Sequence, residues 1–140
     1  KGTPKDMQQD THYDNIISNI YDFLEKSINL ALQNGIGNDK IIIDPGIGFG
    51  KTLEDNYTIL KNIEAFEGLN ARILIGLSRK SLIGNLYTDT LHETPETVDR
   101  LPGTIALNVF SVLQGAAIIR VHDVKEHRLA LDCLKQLQDA

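Results

Sequence analysis

The residues best suited to chemistry fall in three short segments, each placed directly after a run of apolar residues. The first segment, 44–52, reads Asp-Pro-Gly-Ile-Gly-Phe-Gly-Lys-Thr. Its alternating glycines allow sharp turns and a close approach of the backbone to a ligand. Asp44 could accept paired hydrogen bonds from an amino-substituted heterocycle. A tight turn with a helix-capping acid would explain this segment equally well on its own.

The second segment contains two bases and two hydroxyls, in the order Ser-Arg-Lys-Ser over 78–81. The Lys80 ammonium could bond a ring carbonyl or a ring nitrogen, and the serine hydroxyls could hold a carboxylate or a phosphate. A solvated basic loop is the more common fate of such an Arg-Lys pair.

The third segment, 120–123, reads Arg-Val-His-Asp. Side chains alternate along a strand, so Arg120 and His122 are predicted to project from the same face. A guanidinium can stack on an aromatic ring or bond a phosphate, and an imidazole can add a hydrogen bond. A surface strand end would also explain the pair, but the apolar residues Ile118 and Ile119 favour an interior strand.

Three apolar runs that precede these segments are predicted to be strands: 41–43, 72–77 and 116–121. The run 41–43 lacks alternation, which is typical of a strand buried on both faces. Helical periodicity predicts helices over 14–34, from near Thr52 or Asp55 to Gly68, from Thr94 to about Gln114, and from Asp123 to about Leu137. A break is expected at Pro102-Gly103. Residues 1–13 are interpreted as a loop, and 78–93 as a long, partly irregular connection.

These helices have specific predicted features. Asp123 and Glu126 form a capping-box-like start for the last helix. Thr94 and Pro95 resemble an N-cap and first helical residue. The inward-facing residues are predicted to be Ile16, Ile17, Ile20, Phe23, Leu24, Ile28, Ala31 and Leu32 in the first helix, Leu60, Ile63 and Phe66 in the second, and Leu129, Leu134 and Leu137 in the last.

The alternation of helices and unbroken apolar strands predicts a parallel α/β fold. Chemistry in such folds gathers at the carboxyl ends of the strands, so the three segments are expected to form one site.

Two familiar glycine motifs almost match the first segment. A Walker A loop needs glycine where Pro45 stands, and a dinucleotide-binding fingerprint needs glycine where Lys51 stands. A P-loop nucleotide-binding module built on Gly50-Lys51-Thr52 therefore stays a possibility with weak support.

The overall composition narrows the class of protein. The chain has 140 residues, 41% of them hydrophobic, which is enough for one packed domain or a piece of one. A net charge of −5 gives no electrostatic reason to expect nucleic acid or an anionic membrane as a partner. No apolar run approaches the roughly 20 residues of a membrane span. The single cysteine, Cys133, fits a reducing compartment, and we expect a cytoplasmic protein.

The three segments resemble the signature segments of bacterial dihydropteroate synthase, a TIM-barrel family of folate biosynthesis. Residues 1–8 also resemble the loop after the fifth strand of that family, and the resemblance covers essentially the whole chain. It implies that 1–140 is the C-terminal part of a pterin-binding (β/α)8 barrel. The three strands would be the sixth, seventh and eighth, with the first five strands absent from this chain, since a full barrel takes about 250 residues.

The resemblance also implies residue roles and a reaction, the condensation of 6-hydroxymethyl-7,8-dihydropterin pyrophosphate with p-aminobenzoate. Asp44 would bond the amino-pyrimidine edge of the pterin, Lys80 its polar ring atoms, and Gly76 would lie against it. Arg120 would stack on the pterin and touch the pyrophosphate, and His122 would bind phosphate. Asp44, Lys80 and Arg120 are the expected catalytic residues.

Further expectations follow from the same resemblance. Phe49 and Ser81 would contact p-aminobenzoate, with which sulfonamides compete. Magnesium would be held by residues outside this chain, and the complete enzyme would be a homodimer using its C-terminal helices. The isolated chain is expected to be inactive.

Two different classes of protein are also compatible with the sequence. A methyltetrahydrofolate methyltransferase barrel shares the fold and the pterin acid, although the Ser-Arg-Lys-Ser segment is not expected there. A non-catalytic half-barrel that only associates with a partner or with itself is the second, because an opened barrel exposes sheet edges and an apolar face.

Overall fold

Three parallel strands form the centre of the fold, as seen in a computed structural model that describes residues 16–140. The strand order is β1-β2-β3, so neighbours in the sheet are also neighbours in the chain. The predicted parallel α/β architecture is confirmed. The expected loop over 1–13 lies outside the described residues. The strands are β1 (Ile42–Ile43), β2 (Arg72–Ile75) and β3 (Ile118–Ile119).

Five α-helices within residues 16–140 flank this sheet: α1 (Ile16–Gln33), α2 (Leu53–Lys61), α3 (Ser81–Leu91), α4 (Leu101–Leu113) and α5 (Val124–Gln138). Short 3-10 helices span Asn38–Lys40, Ile63–Leu69 and Val98–Arg100.

The register determines which side chains share a face of the sheet. Ile43 pairs with Ile73, and Ile75 pairs with Ile119. Side chains alternate along a strand, so these odd-numbered residues lie on one face. Ile43, Ile73 and Ile75 are at most 4% exposed and belong to one buried cluster with residues of the helices. The odd-numbered face is therefore the core face.

The opposite, even-numbered face is less covered, which corrects the expectation that β1 is buried on both faces. Ile42 is 50% exposed, while Leu74 and Ile118 are half-buried. No described element packs over Ile42, so its exposure follows from the side of the sheet on which it lies.

The second helix begins as predicted. The Thr52 hydroxyl accepts the backbone N–H of Asp55 at 3.1 Å, and the Asp55 carboxylate accepts that of Thr52 at 2.9 Å. This capping box satisfies two N–H groups that a helix start leaves without partners. The predicted inward positions Leu60, Ile63 and Phe66 are at most 2% exposed and are confirmed, although the chain continues beyond Lys61 as a 3-10 helix.

The connection after β2 was predicted wrongly as irregular, because α3 occupies most of it. Leu82 and Ile83 anchor this helix in the core at 2% and 1% exposure. Gly84 within this helix interrupts the apolar periodicity that would otherwise predict a helix. A β-carbon at Gly84 would lie 2.8 Å from the guanidinium carbon of Arg100, so the glycine admits that side chain.

The fourth helix also differs from prediction. It begins at Leu101 rather than at Thr94. Pro102 stands in its first turn, where a missing N–H costs no hydrogen bond, so the expected break is absent. The predicted end is confirmed within one residue, and Gly115 follows it with φ +102°.

The face that α4 buries is polar. Thr104, Asn108 and Ser111 are fully buried at 0% exposure, while Phe110 and Leu113 are 39% and 53% exposed. The buried residues recur at helical spacing and are hydrogen-bonded. Asn108 contacts the equally buried His127 of α5, with 2.9 Å between Nδ2 and Nε2. A hydrogen-bonded seam thus joins α4 to α5.

Two predicted inward stripes are only partly correct. In α1, Leu24 and Ile28 are buried, but Phe23 and Leu32 are 69% and 42% exposed. In α5, His127 is the buried residue. Of its predicted leucines, Leu134 is half-buried, whereas Leu129 and Leu137 are 59% and 76% exposed.

Candidate functional site

The carboxyl ends of β2 and β3 lie side by side and bring two predicted site residues into contact. The backbone N–H of Arg120 donates to the carbonyl of Ile75 at 2.9 Å, which continues the strand pairing. The Arg120 side chain then crosses the backbone of Gly76. A β-carbon at position 76 would lie 2.9 Å from Arg120 Nη2 and 3.2 Å from its Nε. A side chain at position 76 would force the guanidinium out of this position.

A cavity of about 320 Å³ opens at these two strand ends. It contains three groups that can carry positive charge, belonging to Lys80, Arg120 and His122. This arrangement can hold an anion, since cations and N–H donors converge on one space. The structure thus brings together four of the predicted site residues. The lining residues are Gly76, Ser78, Lys80, Arg120, Val121 and His122.

Lys80 links this cavity to the glycine loop after β1. Its ammonium donates to the carbonyl of Ile47 and lies 4.2 Å from the centre of the Phe49 ring. Such a cation–π contact is worth about 0.5–1 kcal/mol at an exposed site. Burial lowers the pKa of Lys80; the charge of Asp44 opposes this effect, and those of Arg120 and Lys51 add to it.

Asp44 lies beside the basic cluster without lining the cavity. One of its carboxylate oxygens accepts the N–H of Gly46 at 2.8 Å. The residue instead lines a groove of about 300 Å³ between the loop and α1, together with Lys51 and Phe23. The charge of Asp44 is therefore near enough to affect Lys80, but Asp44 lines a different opening from Lys80 and Arg120.

The two predicted p-aminobenzoate contacts are both accessible to solvent. Phe49 is 65% exposed, with its ring over the Lys80 ammonium. Ser81 is exposed and forms the first residue of α3. Neither residue lines the cavity. Phe49 contacts the Lys80 ammonium, and Ser81 follows Lys80 in the sequence.

The glycine loop cannot cradle a nucleotide phosphate in the manner of a P-loop. Such a loop offers free backbone N–H groups and a lysine directed at the phosphates. Here the Lys51 ammonium donates to the carbonyls of Gly46 at 2.7 Å and Phe49 at 3.2 Å. The N–H groups of Gly46 and Phe49 are also bonded within the loop. Burial lowers the pKa of Lys51, opposed by Asp44 and Asp55. The P-loop hypothesis is wrong.

Asn56, which the sequence reasoning missed, holds this loop to α2. Its side-chain oxygen accepts the N–H of Gly48 at 2.6 Å, and its amide nitrogen donates to the carbonyl of Thr52 at 2.7 Å. The residue is only 3% exposed. Its burial depends on the loop that it contacts, so no local pattern in the sequence identifies it, since polar side chains are buried only where they find partners.

A second missed contact links the ends of β2 and β3. Ser78 is 7% exposed, and its hydroxyl lies 2.9 Å from Nδ1 of His122. The same oxygen accepts the backbone N–H of His122 at 3.2 Å. His122 is therefore held by both its main chain and its ring.

The other base of the Ser-Arg-Lys-Ser segment is directed away from the cavity. The Arg79 guanidinium forms paired hydrogen bonds with Asp123, one of them at 2.9 Å from Nε. This contact raises the pKa of Arg79, against the opposing effect of burial. The hydrogen bond from Arg79 likewise lowers the pKa of Asp123, again opposed by burial. The Asp123 side chain is used here and does not cap α5, so the predicted capping box is wrong.

The backbone of Arg79 is fixed as firmly as its side chain. Its φ of +57° lies in the left-handed region, which non-glycine residues adopt only at a cost. The Thr104 hydroxyl accepts its N–H at 3.1 Å, and Arg100 donates to its carbonyl at 3.0 Å. This turn places Ser78 before it and Lys80 after it at the cavity. Arg79 is thus a brace between the two strand ends.

Neither a metal cluster nor a membrane helix occurs in the described part of the chain. Within residues 16–140, no group of three or more His, Cys, Asp or Glu side chains is arranged to hold a metal ion. No helix in that range is both long enough and apolar enough to cross a membrane.

Comparison with known proteins places these observations in context. A family model described as pterin binding enzyme matches residues 1–122. The dihydropteroate synthase of Escherichia coli K12 is 42% identical over 126 residues, which are 90% of this chain and 43% of that relative. The chain thus spans less than half the length of this curated relative.

Solved structures agree with the sequence comparison. Dihydropteroate synthase from Thermus thermophilus in complex with 6HMPPP superposes with a TM-score of 0.83 and 34% identity, over 97% of this chain and 51% of that one. The Yersinia pestis dihydropteroate synthase with a sulfonamide drug gives a TM-score of 0.85 and 36% identity, over 99% and 48%. These matches confirm the predicted fold class, a part of a (β/α)8 barrel.

Proposed function

Because the chain belongs to the family of pterin-binding enzymes, we propose that it provides the pterin- and pyrophosphate-binding part of a dihydropteroate synthase. The complete protein would condense 6-hydroxymethyl-7,8-dihydropterin pyrophosphate with p-aminobenzoate, giving 7,8-dihydropteroate and pyrophosphate. The observation that carries this proposal is the cavity at the ends of β2 and β3, where Lys80, Arg120 and His122 converge. The named relatives are dihydropteroate synthases, which favours this activity over a methyltransferase.

The pterin would lie across the two openings at the strand ends. Asp44 uses one carboxylate oxygen for Gly46, which leaves the second oxygen for the amino-pyrimidine edge. Gly76 and the Arg120 side chain against it would form the surface on which the ring stacks. Lys80 would turn from the Ile47 carbonyl to a polar atom of the ring. These assignments are supported by position and charge.

The chemistry requires no nucleophile from the protein. The bond between the exocyclic methylene carbon and the pyrophosphate oxygen breaks, and the oxygen leaves with the electron pair. The amine nitrogen of p-aminobenzoate then bonds that carbon and loses a proton. Arg120 and His122 would stabilise the charge that develops on the leaving oxygen. Because these groups are already in place, little reorganisation is needed during the reaction.

Phe49 and Ser81 would contact p-aminobenzoate on the outer side of Lys80. The Phe49 ring offers an exposed aromatic face, and Ser81 offers a hydroxyl at the start of α3. Sulfonamides would occupy the same place, as competitors of p-aminobenzoate. The solved structure of the Yersinia pestis relative contains a sulfonamide drug, which supports sulfonamide binding by the complete protein.

The family resemblance implies a magnesium ion, and we propose that its ligands lie outside residues 16–140. Within those residues, the His, Cys, Asp and Glu side chains form no group of three or more that could hold a metal. The described residues assign no step of the reaction to magnesium.

The assembly and location of the protein are further parts of the proposal. We expect residues 1–140 to form a partial barrel domain that is inactive alone. The complete protein would be a cytoplasmic homodimer. Exposed apolar side chains on the C-terminal helices support an interface there. They are Phe110, Leu113, Val124, Leu129 and Leu137.

Two measurements test the proposal. The protein that carries this chain should form 7,8-dihydropteroate and release pyrophosphate over many turnovers when both substrates are present, whereas the 140-residue chain alone should form no product. Calorimetry should detect binding of a pterin and no binding of ATP. Dihydropteroate formation by the isolated chain would refute its expected inactivity, and failure of the complete protein to turn over would refute the activity.

A further inference from the structure

The contact between Ser78 and His122 fixes more than the position of the ring. Ser78 oxygen lies 2.9 Å from Nδ1 of His122 and already accepts the His122 backbone N–H at 3.2 Å. A serine hydroxyl has one proton to donate and two lone pairs. The direction of the hydroxyl proton therefore decides which nitrogen of the imidazole carries a proton.

Two arrangements of the protons are possible when the imidazole is neutral. If Nδ1 carried the proton, it would donate to Ser78, and the hydroxyl proton would need another acceptor. Among the described residues, the hydroxyl has no second hydrogen-bond acceptor besides Nδ1. Since Ser78 is 7% exposed, a hydroxyl proton without a partner would be costly. The favourable arrangement has the hydroxyl donating to Nδ1.

We infer that Ser78 is a positioning residue that holds neutral His122 in the tautomer with its proton on Nε2, so that the ring presents a donor to the cavity. The importance of this donor rests on the proposed function, in which the cavity receives the pyrophosphate. A phosphate oxygen accepts hydrogen bonds, whereas a bare Nε2 would direct a lone pair at it. With Ser78 in place, His122 binds the anion without first being protonated.

The geometry does not suit Ser78 as a nucleophile. In a catalytic serine–histidine pair, Nε2 faces the serine and an acid supports Nδ1. Here Nδ1 faces the serine, and the neighbouring acid, Asp123, is paired with Arg79. The hydroxyl also accepts a main-chain N–H, which draws it toward the backbone. Ser78 therefore acts through His122 and not on the substrate.

The test is a comparison of Ser78→Ala with the parent protein by long-range ¹H–¹⁵N NMR of the histidine rings at about pH 8.5, above the ordinary titration range of imidazole. The parent should show His122 as a single tautomer protonated on Nε2. In Ser78→Ala, the form protonated on Nδ1 should become detectable. Ser78→Thr, which keeps a hydroxyl, should restore the single tautomer. A parent ring protonated on Nδ1, or an unchanged spectrum in Ser78→Ala, would overturn the inference.

Binding of inorganic pyrophosphate supplies the second readout. At about pH 8.5, Ser78→Ala should raise the Kd in proportion to the fraction of His122 that carries its proton on Nδ1, about twofold if the two tautomers become equally populated. At about pH 5 the loss should be smaller, because an imidazolium donates from both nitrogens. Taking the ratio to the parent at each pH removes the shared contributions of Lys80, Arg120 and the Arg79–Asp123 pair. An equal loss at both pH values would contradict the tautomer explanation.

Ser111→Ala is the matched control. Ser111 is also a buried serine, but its hydroxyl donates to the Leu107 carbonyl within α4. This variant should leave the His122 tautomer and pyrophosphate binding unchanged, and a response equal to that of Ser78→Ala would count against the inference. A tautomer that responds to Ser78→Ala in a protein that does not bind pyrophosphate would overturn the proposed function and uphold the role of Ser78.

Discussion

The guanidinium of Arg120 occupies the space that a side chain at position 76 would need, 2.9 Å from the place of a β-carbon. The two residues therefore define one surface, formed by the backbone of β2 and the side chain that follows β3. A side chain at position 76 would therefore displace the Arg120 guanidinium.

The first prediction concerns Gly76→Ala. The added methyl group should displace the Arg120 guanidinium and weaken pyrophosphate binding on the order of tenfold, because a small misplacement of a binding group costs much of its interaction. Calorimetry with inorganic pyrophosphate measures this. Gly37→Ala is the control, since its β-carbon meets only the Asp39 side chain, which is free to move. Equal losses in both variants would show that the Gly76 contact has no special role.

The second prediction concerns the Arg79–Asp123 pair. Arg79 lowers the pKa of Asp123, so folding favours the ionised carboxylate. The resulting stabilisation is present above the ordinary titration range of aspartate, about pH 4, and is lost as the pH falls through the lowered pKa. Asp123→Asn should therefore lower the melting temperature at about pH 7 and have little effect under strongly acidic conditions.

The control for that experiment is Asp132→Asn. Asp132 pairs with Arg128 on the surface of α5, where its side chain is 48% exposed. Such exposed pairs contribute little to stability. If Asp123→Asn gave no larger change than Asp132→Asn near neutral pH, the pair would not be a brace between the strand ends.

The third prediction separates the structural role of Lys51 from a nucleotide-binding one. Lys51→Met removes the hydrogen bonds to the carbonyls of Gly46 and Phe49. It should lower the free energy of unfolding by about 1.5–3 kcal/mol, the range for hydrogen bonds to charged groups. Chemical denaturation measures this loss. ATP should raise the melting temperature of neither the parent nor the variant, and protection of the parent alone would restore the P-loop hypothesis.

The fourth prediction concerns Phe49. Phe49→Ala removes the ring over the Lys80 ammonium and should raise the KM for p-aminobenzoate several-fold, with a smaller effect on the KM for the pterin substrate. Phe49→Tyr keeps an aromatic face and should retain most of the affinity. Phe110→Ala, at a partly exposed position on α4, is the control in the same steady-state assay. A selective rise in the pterin KM would contradict the assignment of Phe49 to p-aminobenzoate.

Much of the architecture could be predicted because it depends on local patterns. The apolar runs 41–43, 72–77 and 116–121 locate the strands, and the alternation of strands and helices predicts their parallel pairing. The start of α2 near Thr52 was also predicted, and the capping box that fixes it joins residues within one helical turn.

The errors arise where a distant contact decides the local structure. In α4, Asn108 is buried because His127 lies opposite it, and no local pattern predicts that contact. Asp123 resembled a helix cap, but its carboxylate is bonded to Arg79, 44 positions earlier in the chain. Gly84 weakened the signal of α3, although the Arg100 side chain explains it. The local sequence around each of these residues does not reveal its distant partner.

At the site, the binding residues could be predicted from the sequence, whereas the residues that support them could not. The residue types of Lys80, Arg120 and His122 were sufficient to predict a basic site at the strand ends, and they do line one cavity. The support from Ser78 and Asn56 could not be foreseen, because each acts across a turn or between strands.

The weakly covered face of the sheet has a thermodynamic consequence. Ile42, Leu74 and Ile118 lie on the same side of the sheet as Gly76 and Arg120. A polypeptide segment that packs against these apolar residues would also face the site. The association of that segment with the sheet and the binding of a ligand would therefore involve the same surface. By linkage, a ligand bound at that surface would strengthen the association between the segment and this chain, and the association would raise the affinity for the ligand by the same factor.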